Sequence, residues 1–502
     1  MTDPFYITTA ISYPNGPPHI GHAYEAIAAD VIARFQRSQG RDVRFQTGTD
    51  EHGLKMAQAA RTEGVEPRAF ADRMSRLFQE MCDTLNVSYD RFIRTSQPDH
   101  YRASQAIWTA MEERGDLYLD RYEGWYSVRD EAYYEEDELV VGEHGNKLSP
   151  QHTPVEWTVE ESWFFRLSKY QQPLLDLYAA NPDFIQPDSR RNEVVRFVEG
   201  GLKDLSISRT SFDWGVPVPG SGNHVMYVWL DALTNYITGL GYPDDTELWD
   251  RYWPANVHLI GKDVVRFHAV YWPAFLMSAG IELPKMVYGH GFLLTRGEKM
   301  SKSVGNVVDP LALAGSFGVD QLRYFLMREV TFGQDGSYTT EAIINRVNAE
   351  LANSFGNLAQ RTLSMVFKNL DGVLPAAGEA AEDKELLQKV ERGCAELNDR
   401  FGDYAFSTGL EAWMSAVFAC NAYIDAQAPW ALRKTDPERM ADVLGTLVVA
   451  VRKLAQAVAP VIPASADKLL SQIDAGNDGQ PIAQPQPLFP RLELSEDEEA
   501  AA

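Results

Sequence analysis

Cysteine is scarce: Cys82, Cys394 and Cys420 are the only three in 502 residues, odd in number, far apart and never spaced C-x-x-C. That excludes a disulfide framework and a thiolate zinc site and fits a reducing compartment, the cytoplasm. Positive charge is short as well, with 46 Lys and Arg against 71 Asp and Glu, a net −25. Polyanions are repelled by such a chain unless its basic groups cluster, so any contact with nucleic acid must be local and shaped. Long apolar runs are missing: Val443–Val451 stops at Arg452-Lys453, short of the roughly 18 residues of a membrane span. Met1-Thr2-Asp3-Pro4 puts an acid where an export signal needs bases, so neither export nor a membrane span is expected. Neither G-x-x-x-x-G-K-[ST] nor G-x-G-x-x-G follows a strand signal, which excludes those two modes of phosphate binding. No internal repeat is found.

What is present is 45% hydrophobic residues in a chain long enough for more than one core. Phe5–Ile11 reads as a strand and Pro14–Pro18 as a turn, and Ile20, Tyr24, Ile27, Val31 and Phe35 recur at helical intervals. Val43 and Phe45 alternate towards Thr49-Asp50, completing a βαβ unit with parallel strands, whose C-terminal edge is where such folds place ligands. Strand and helix signals return at Val225–Trp229, Val257–Ile260 and Met286–Leu293. Between the first βαβ unit and these, about Leu117–Asp213, a stretch rich in Tyr, Trp and acids reads as an insertion. From Glu341 a stripe of Ile344, Val347, Leu351, Phe355 and Leu358 announces a helical bundle. The Pro- and Gln-rich Gln480–Pro490 reads as a strap, and Ser495–Glu499 as a disordered acidic tail.

Two phosphate candidates stand out. His19-Ile20-Gly21-His22 sits where the first turn enters its helix, with both imidazoles on the face at the helix N-terminus, where N–H groups and the dipole favour phosphate. The bland alternative is that the histidines cap the helix. Lys299-Met300-Ser301-Lys302-Ser303 follows a strand signal and offers ammonium groups to a pyrophosphate; alone, such a pentapeptide is a solvated loop. Both are expected at strands of one sheet.

Together with Ala10-Ile11-Ser12-Tyr13-Pro14-Asn15-Gly16, Gly48-Thr49-Asp50-Glu51-His52-Gly53, Tyr227-Val228-Trp229-Leu230-Asp231-Ala232 and Gly261-Lys262-Asp263, the two motifs carry a resemblance along nearly the whole chain. It resembles the methionyl-tRNA synthetase family within the class I aminoacyl-tRNA synthetases, with the HIGH and KMSKS signatures. The resemblance implies an α/β Rossmann-like parallel-sheet catalytic domain with an inserted connective domain, followed by an all-α helical-bundle anticodon-binding domain. The boundaries expected are catalytic 1–116 and 214–295, connective 117–213, KMSKS and stem-contact region 296–340, anticodon-binding 341–475, and strap with tail 476–502. It implies a monomeric ligase that activates L-methionine with ATP and Mg2+ to methionyl-adenylate and then charges tRNA(Met).

The resemblance assigns catalysis to His19, His22, Lys299 and Lys302, and ATP binding to these with Gly21 and Ser301. It places the methionine pocket at Ile11, Tyr13, Asp50, Trp229, Ala232, Leu233, Tyr236, Val264, His268 and Tyr271. The residue types make sense unaided, since Asp50 suits an α-ammonium and aromatic edges suit a polarizable thioether. His268, on an expected helix Val264–Ala279, is open to the bland reading of a satisfied core histidine. Asn357 and Arg361 are spaced i, i+4 and Trp430 follows Pro429; they match the family's anticodon readers, against the alternatives of a solvated face and a core anchor. Arg190, Arg191, Arg196 and Lys203 form a basic interruption that could meet the acceptor end.

Many relatives carry zinc knuckles in the insertion. Here Ser127, Asp130 and Ser149 stand at thiolate positions, with only His144 and His152 as imidazoles, so no metal is expected. Two alternatives to a ligase stay open, a nucleotidyl-transfer enzyme acting on a free small molecule and a non-catalytic RNA-binding paralogue. The first predicts a chain without a bundle, the second decay of the phosphate motifs or the pocket. Ligases for leucine, isoleucine or valine need a larger insertion, and one for cysteine needs the missing thiolates.

Overall fold

The computed structural model describes residues 3–493 apart from 131, 143–144, 245, 296–297 and 300–307. The chain divides into two units: Met1–Pro18, Gly40–Asp83 and Val87–His290 form one, and His19–Gln39, Thr84–Asn86 and Gly291–Ala502 the other.

The first unit is built on strands β1 (Pro4–Thr9), β2 (Asp42–Thr49), β3 (Arg91–Arg94), β4 (Ile185–Gln186), β5 (Val257–Gly261) and β6 (Val287–His290). They pair in the order β3-β2-β1-β5-β6-β4, every pair parallel. The apolar runs read as strands because their residues pack on both faces of a parallel sheet; Ile7, Phe45, Val257 and Leu259 are fully buried. Ile7 registers with Phe45 on one side and Val257 on the other, so β1 has β2 and β5 as neighbours and the strand order switches there. Chain leaving β1 at Ala10 and β5 at Gly261 therefore frames the crevice where such sheets place ligands.

The insertion is an antiparallel sheet in which Leu117–Ser127 pairs along its length with Glu156–Phe165, flanked by Ala132–Tyr134 and Leu205–Ser206. Val225–Trp229 divides between a strand and the start of a helix. Only Val225–Met226 is extended, and a helix runs from Val228 to Thr238, because Leu230, Leu233 and Ile237 recur at helical intervals and bury one face.

In the second unit, helix Ile20–Ser38 accompanies helices Pro310–Phe317 and Val319–Glu329. Leu293–Thr295 lies between Glu298–Lys299, antiparallel, and Gly336–Tyr338, parallel. The Lys299 motif thus does not belong to the six-stranded sheet, contrary to the expectation of one sheet for both motifs. The Phe292 N–H donates to Asp335 Oδ1 (2.8 Å) and the Gly336 N–H to the Phe292 carbonyl (2.9 Å), drawing the chain to a new partner strand. The bundle is formed by Asn357–Asn369, Ala381–Gly402, Phe406–Gln427, Pro437–Val458 and Pro463–Asp474. The strap is ordered through Leu492, whose N–H and carbonyl both bond the Asn348 amide at 2.8 Å, while Ile482 and Phe489 are buried. Ser495–Glu499 lie outside the described residues. Among the described residues no helix is long and apolar enough to cross a membrane.

Candidate active site

In the first unit the crevice is lined from two directions. On one side, the chain after β1 folds back on the end of β2: Ser12 N–H donates to the Gly48 carbonyl and Asp50 N–H to the Ser12 carbonyl, both at 2.9 Å. This brings Ile11 and Tyr13 beside Asp50, a carboxylate only 7% exposed. The Tyr13 hydroxyl donates to the His52 carbonyl at 2.8 Å.

On the other side stands an aromatic wall. Trp229, in the first turn of its helix, stacks on Phe267 with centroids 3.7 Å apart and planes 7° off parallel. Ala232, Leu233 and Tyr236 follow on the next turns of the same helix and are buried. After β5 the chain passes through a 3-10 turn, Lys262–Val264, and a π-helical turn, Phe267–Tyr271, before helix Trp272–Ala279 begins. The expected helix Val264–Ala279 is helical from Val265 onward but widens at Phe267–Tyr271 into a π-helical turn, a form that often marks functional sites. Tyr271 meets Phe267 edge-on at 5.4 Å, and His268 meets Trp229 edge-on at 6.4 Å.

Hydrogen bonding sets the His268 tautomer. The Val264 carbonyl, 2.9 Å from Nδ1, can only accept, so Nδ1 carries the proton and Nε2 accepts from the Tyr236 hydroxyl at 2.6 Å. Burial pushes its pKa down to about 4, against a partial lift from the Val264 bond. Beneath it, His258 stacks on Tyr236 at 4.1 Å and burial holds its pKa well below the usual imidazole range. The wall thus holds neutral rings. His268 is indeed satisfied within the core, as the bland reading has it, yet its ring also faces Trp229.

A stability consequence follows. Between pH about 4 and 6.5 the unfolded chain binds a proton at His268 that the folded chain does not, so stability falls as pH falls through that window. For this one group the loss is about 3 kcal/mol. Urea unfolding at pH 7 and pH 4.5 measures it; a His268→Gln chain is expected to show a shallower dependence, and an equal slope in both would contradict the assignment.

In the second unit, the two motif histidines hold the start of helix Ile20–Ser38. His19 Nδ1 accepts the Gly21 N–H at 3.0 Å, and His22 Nδ1 accepts the His19 N–H at 3.1 Å, a reciprocal cap. Backbone N–H groups can only donate, so both rings carry their proton on Nε2. The rings lie 3.8 Å apart. A Cβ at Gly21 would lie 2.9 Å from His19 Cε1, so only glycine lets the His19 ring fold over the turn. The Ile20 N–H donates to the Val308 carbonyl at 3.0 Å, tying this helix start to the residue after segment 300–307. Ser301 and Lys302 lie outside the described residues, and Lys299 is described by its backbone alone.

Also in the second unit, Asn357 opens helix Asn357–Asn369 and is exposed, with Arg361 one turn on. The Arg361 guanidinium lies 5.4 Å from the Trp430 ring and bonds Asp425 at 2.9 Å. Trp430 is 49% exposed, which removes the core-anchor reading and leaves an aromatic platform beside a cation. The basic run of the first unit is less available. Arg190 pairs with Glu193, Arg191 with Asp188 and Lys203 with Glu135. At the knuckle positions, Asp130 Oδ2 accepts from the hydroxyls of Ser149 (2.5 Å), Thr153 (2.6 Å) and Tyr134 (3.0 Å), and Ser127 meets Thr153 at 2.5 Å.

Comparison with known proteins shows likeness along nearly the whole chain. Residues 5–363 match the family model for class I tRNA synthetases (M), and residues 374–492 that for the anticodon binding domain of methionyl tRNA ligase. The chain belongs to the class I methionyl-tRNA synthetases. A methionine–tRNA ligase of Brucella suis is 58% identical over 97% of this chain and 98% of its own length. That of Mycobacterium tuberculosis H37Rv is 58% identical over 93% of this chain and 91% of its own. The solved structure of Mycobacterium tuberculosis methionyl-tRNA synthetase in complex with methionyl-adenylate superposes with a TM-score of 0.94 at 55% identity, covering 98% of this chain and 100% of that one.

Sequence reasoning missed Phe267, the stacking partner of Trp229, and the pair His52 and Asp231 with His100. Its available signal was the placement of His52 and Asp231 inside the quoted motifs.

Proposed function

We propose that Asp50 takes the α-ammonium of methionine and that Trp229, Ala232, Leu233, Tyr236, Val264, His268 and Tyr271, with Ile11 and Tyr13, form the slot for its side chain. The observation that carries this is the state of His268: burial keeps the ring neutral and its two nitrogens are engaged by Tyr236 and Val264, so the slot offers ring faces and edges where a charged side chain would need a counter-charge. A thioether suits that lining.

The chain is a methionine–tRNA ligase. A methionine carboxylate oxygen attacks the α-phosphorus of ATP in line as the bond to pyrophosphate breaks, giving methionyl-adenylate; the terminal adenosine hydroxyl of tRNA(Met) then displaces AMP. Such reactions are catalysed by positioning and charge stabilisation. We assign the phosphate charge to the His19 and His22 imidazoles and, in the same reading, to Lys299 and Lys302, with Gly21 and Ser301 in the nucleotide site. ATP would be taken as its Mg2+ complex, the ion supplying charge neutralisation on the phosphates. Asn357, Arg361 and Trp430 take the anticodon bases. The insertion is read as zinc-free, with Asp130 and the hydroxyls of Ser127, Ser149 and Thr153 holding one another at the knuckle, and the enzyme as cytoplasmic.

Amino-acid-dependent ATP–pyrophosphate exchange across all twenty amino acids tests the slot without tRNA. Methionine alone is expected to support exchange; equal exchange with leucine or isoleucine would overturn the assignment.

A further inference from the structure

Two residues after Asp50, the His52 side chain leaves the crevice and enters a buried cluster in the first unit. Asp231, on the helix that carries Trp229 and Tyr236, is fully buried. Its two carboxylate oxygens are each filled by an imidazole: His52 Nδ1 donates to Oδ2 at 2.6 Å, and His100 Nε2 donates to Oδ1 at 2.7 Å. A buried carboxylate is costly unless paired and hydrogen-bonded, and here both conditions are met. Burial alone would raise the Asp231 pKa, but the charge of His52 and the bonds from both histidines outweigh it and hold the group at about 2. His52 Nε2 meets the Tyr101 hydroxyl at 3.0 Å, and its ring sits edge-on to Trp214 at 5.3 Å.

None of these groups is assigned to a substrate, yet they join the two sides of the amino-acid site. The loop Thr49–Gly53 brings Asp50, and through the Tyr13 hydroxyl on the His52 carbonyl it also fixes Tyr13. The helix Val228–Thr238 brings Trp229, Ala232, Leu233 and Tyr236. Neighbouring bonds fix the loop itself. Glu51 receives Arg94 through both carboxylate oxygens (2.7 and 3.0 Å), its carbonyl accepts the Trp214 indole N–H at 2.5 Å, and the Gly53 N–H donates to the Trp214 carbonyl at 3.0 Å.

We propose that His52, Asp231 and His100 are positioning residues that lock the ammonium-binding loop to the side-chain-binding helix, setting the distance at which one amino acid can satisfy both. The inference rests on the placement of methionine between Asp50 and Trp229. Misplacing either side by a fraction of an ångström weakens methionine recognition while leaving the nucleotide site untouched.

The test is a KM split in ATP–pyrophosphate exchange with the full chain. His52→Ala is expected to raise the methionine KM by about tenfold or more while the ATP KM stays within about twofold. His52→Asn, whose amide N–H reaches the place of Nδ1–H, is expected to recover most of that loss; a merely structural role would raise both constants or neither. Should His52→Ala fail to fold, Tyr101→Phe removes only the bond to Nε2 and is expected to raise the methionine KM selectively. Asp50→Asn is measured alongside. If it raises the methionine KM and the His52 and Tyr101 variants do not, the positioning role is overturned and the pocket stands. If Asp50→Asn leaves that KM unchanged, the pocket and the positioning role fall together.

Discussion

Arg323→Ala is expected to destabilise the second unit by about 3–5 kcal/mol, with a fall of roughly 10 °C in its melting transition. Arg323 is fully buried on helix Val319–Glu329. Its guanidinium donates to Asp30 Oδ2 (2.6 Å) and to the carbonyls of Val461 (2.9 Å), Pro460 (3.0 Å) and Leu85 (3.1 Å). Asp30, fully buried on helix Ile20–Ser38, is also paired with Arg34 (2.8 Å). The cost arises less from the lost pair than from a buried carboxylate and three buried carbonyls left short of donors. A double-mutant cycle with Asp30→Ala separates these: the pair is expected to be strongly non-additive, with the double variant losing less than the sum of the singles. Additive losses would mean that Arg323 acts through its carbonyl bonds alone.

Arg323 also shows where sequence reading ends. An arginine inside an amphipathic helix pattern looks like a solvated side chain, because nothing local says that the turn Pro460–Val461 and residues Leu85–Asn86 will close over it. The same holds for the site. Asp50 and Trp229 could be nominated because they stand in short contiguous motifs, Asp50 at the end of a parallel strand, whereas His268 lies in no such motif and was nominated only through the resemblance. The π-helical turn at Phe267–Tyr271 was not, since it costs a register shift that periodicity cannot express, and with it went the stacking of Phe267 on Trp229. Val225–Trp229 left the boundary open because five apolar residues fit a strand as well as a buried helix start. The Lys299 segment was assigned to the main sheet because adjacency along the chain was read as adjacency in a sheet; bonds from Phe292 and Gly336 decide otherwise. Asp130 could be read as a lost thiolate, but the hydroxyls that gather around it come from residues up to 23 positions away.

His19→Asn and His22→Gln are each expected to lower the ATP–pyrophosphate exchange rate by about 10²–10³-fold while changing helix stability by only a few tenths of a kcal/mol. The choice of variants follows from the cap. Asparagine at the N-cap presents an oxygen to the Gly21 N–H in place of His19 Nδ1, and glutamine at the third helical position can accept the His19 N–H in place of His22 Nδ1, as in an ordinary capping box. Both substitutions therefore keep the acceptors that the helix start uses and remove the imidazole Nε2–H donors. If capping were the whole purpose of these histidines, exchange would survive in both variants. If they also stabilise charge developing on the phosphates, exchange collapses in a protein whose thermal unfolding is unchanged. Alanine at either position would confuse the two, because it removes the cap and the donor together. Under the proposed phosphate role, capping is a condition for catalysis: each backbone N–H pins Nδ1 as an acceptor, which forces the proton onto Nε2, so the fold of the first helical turn itself sets the tautomer that a phosphate would require.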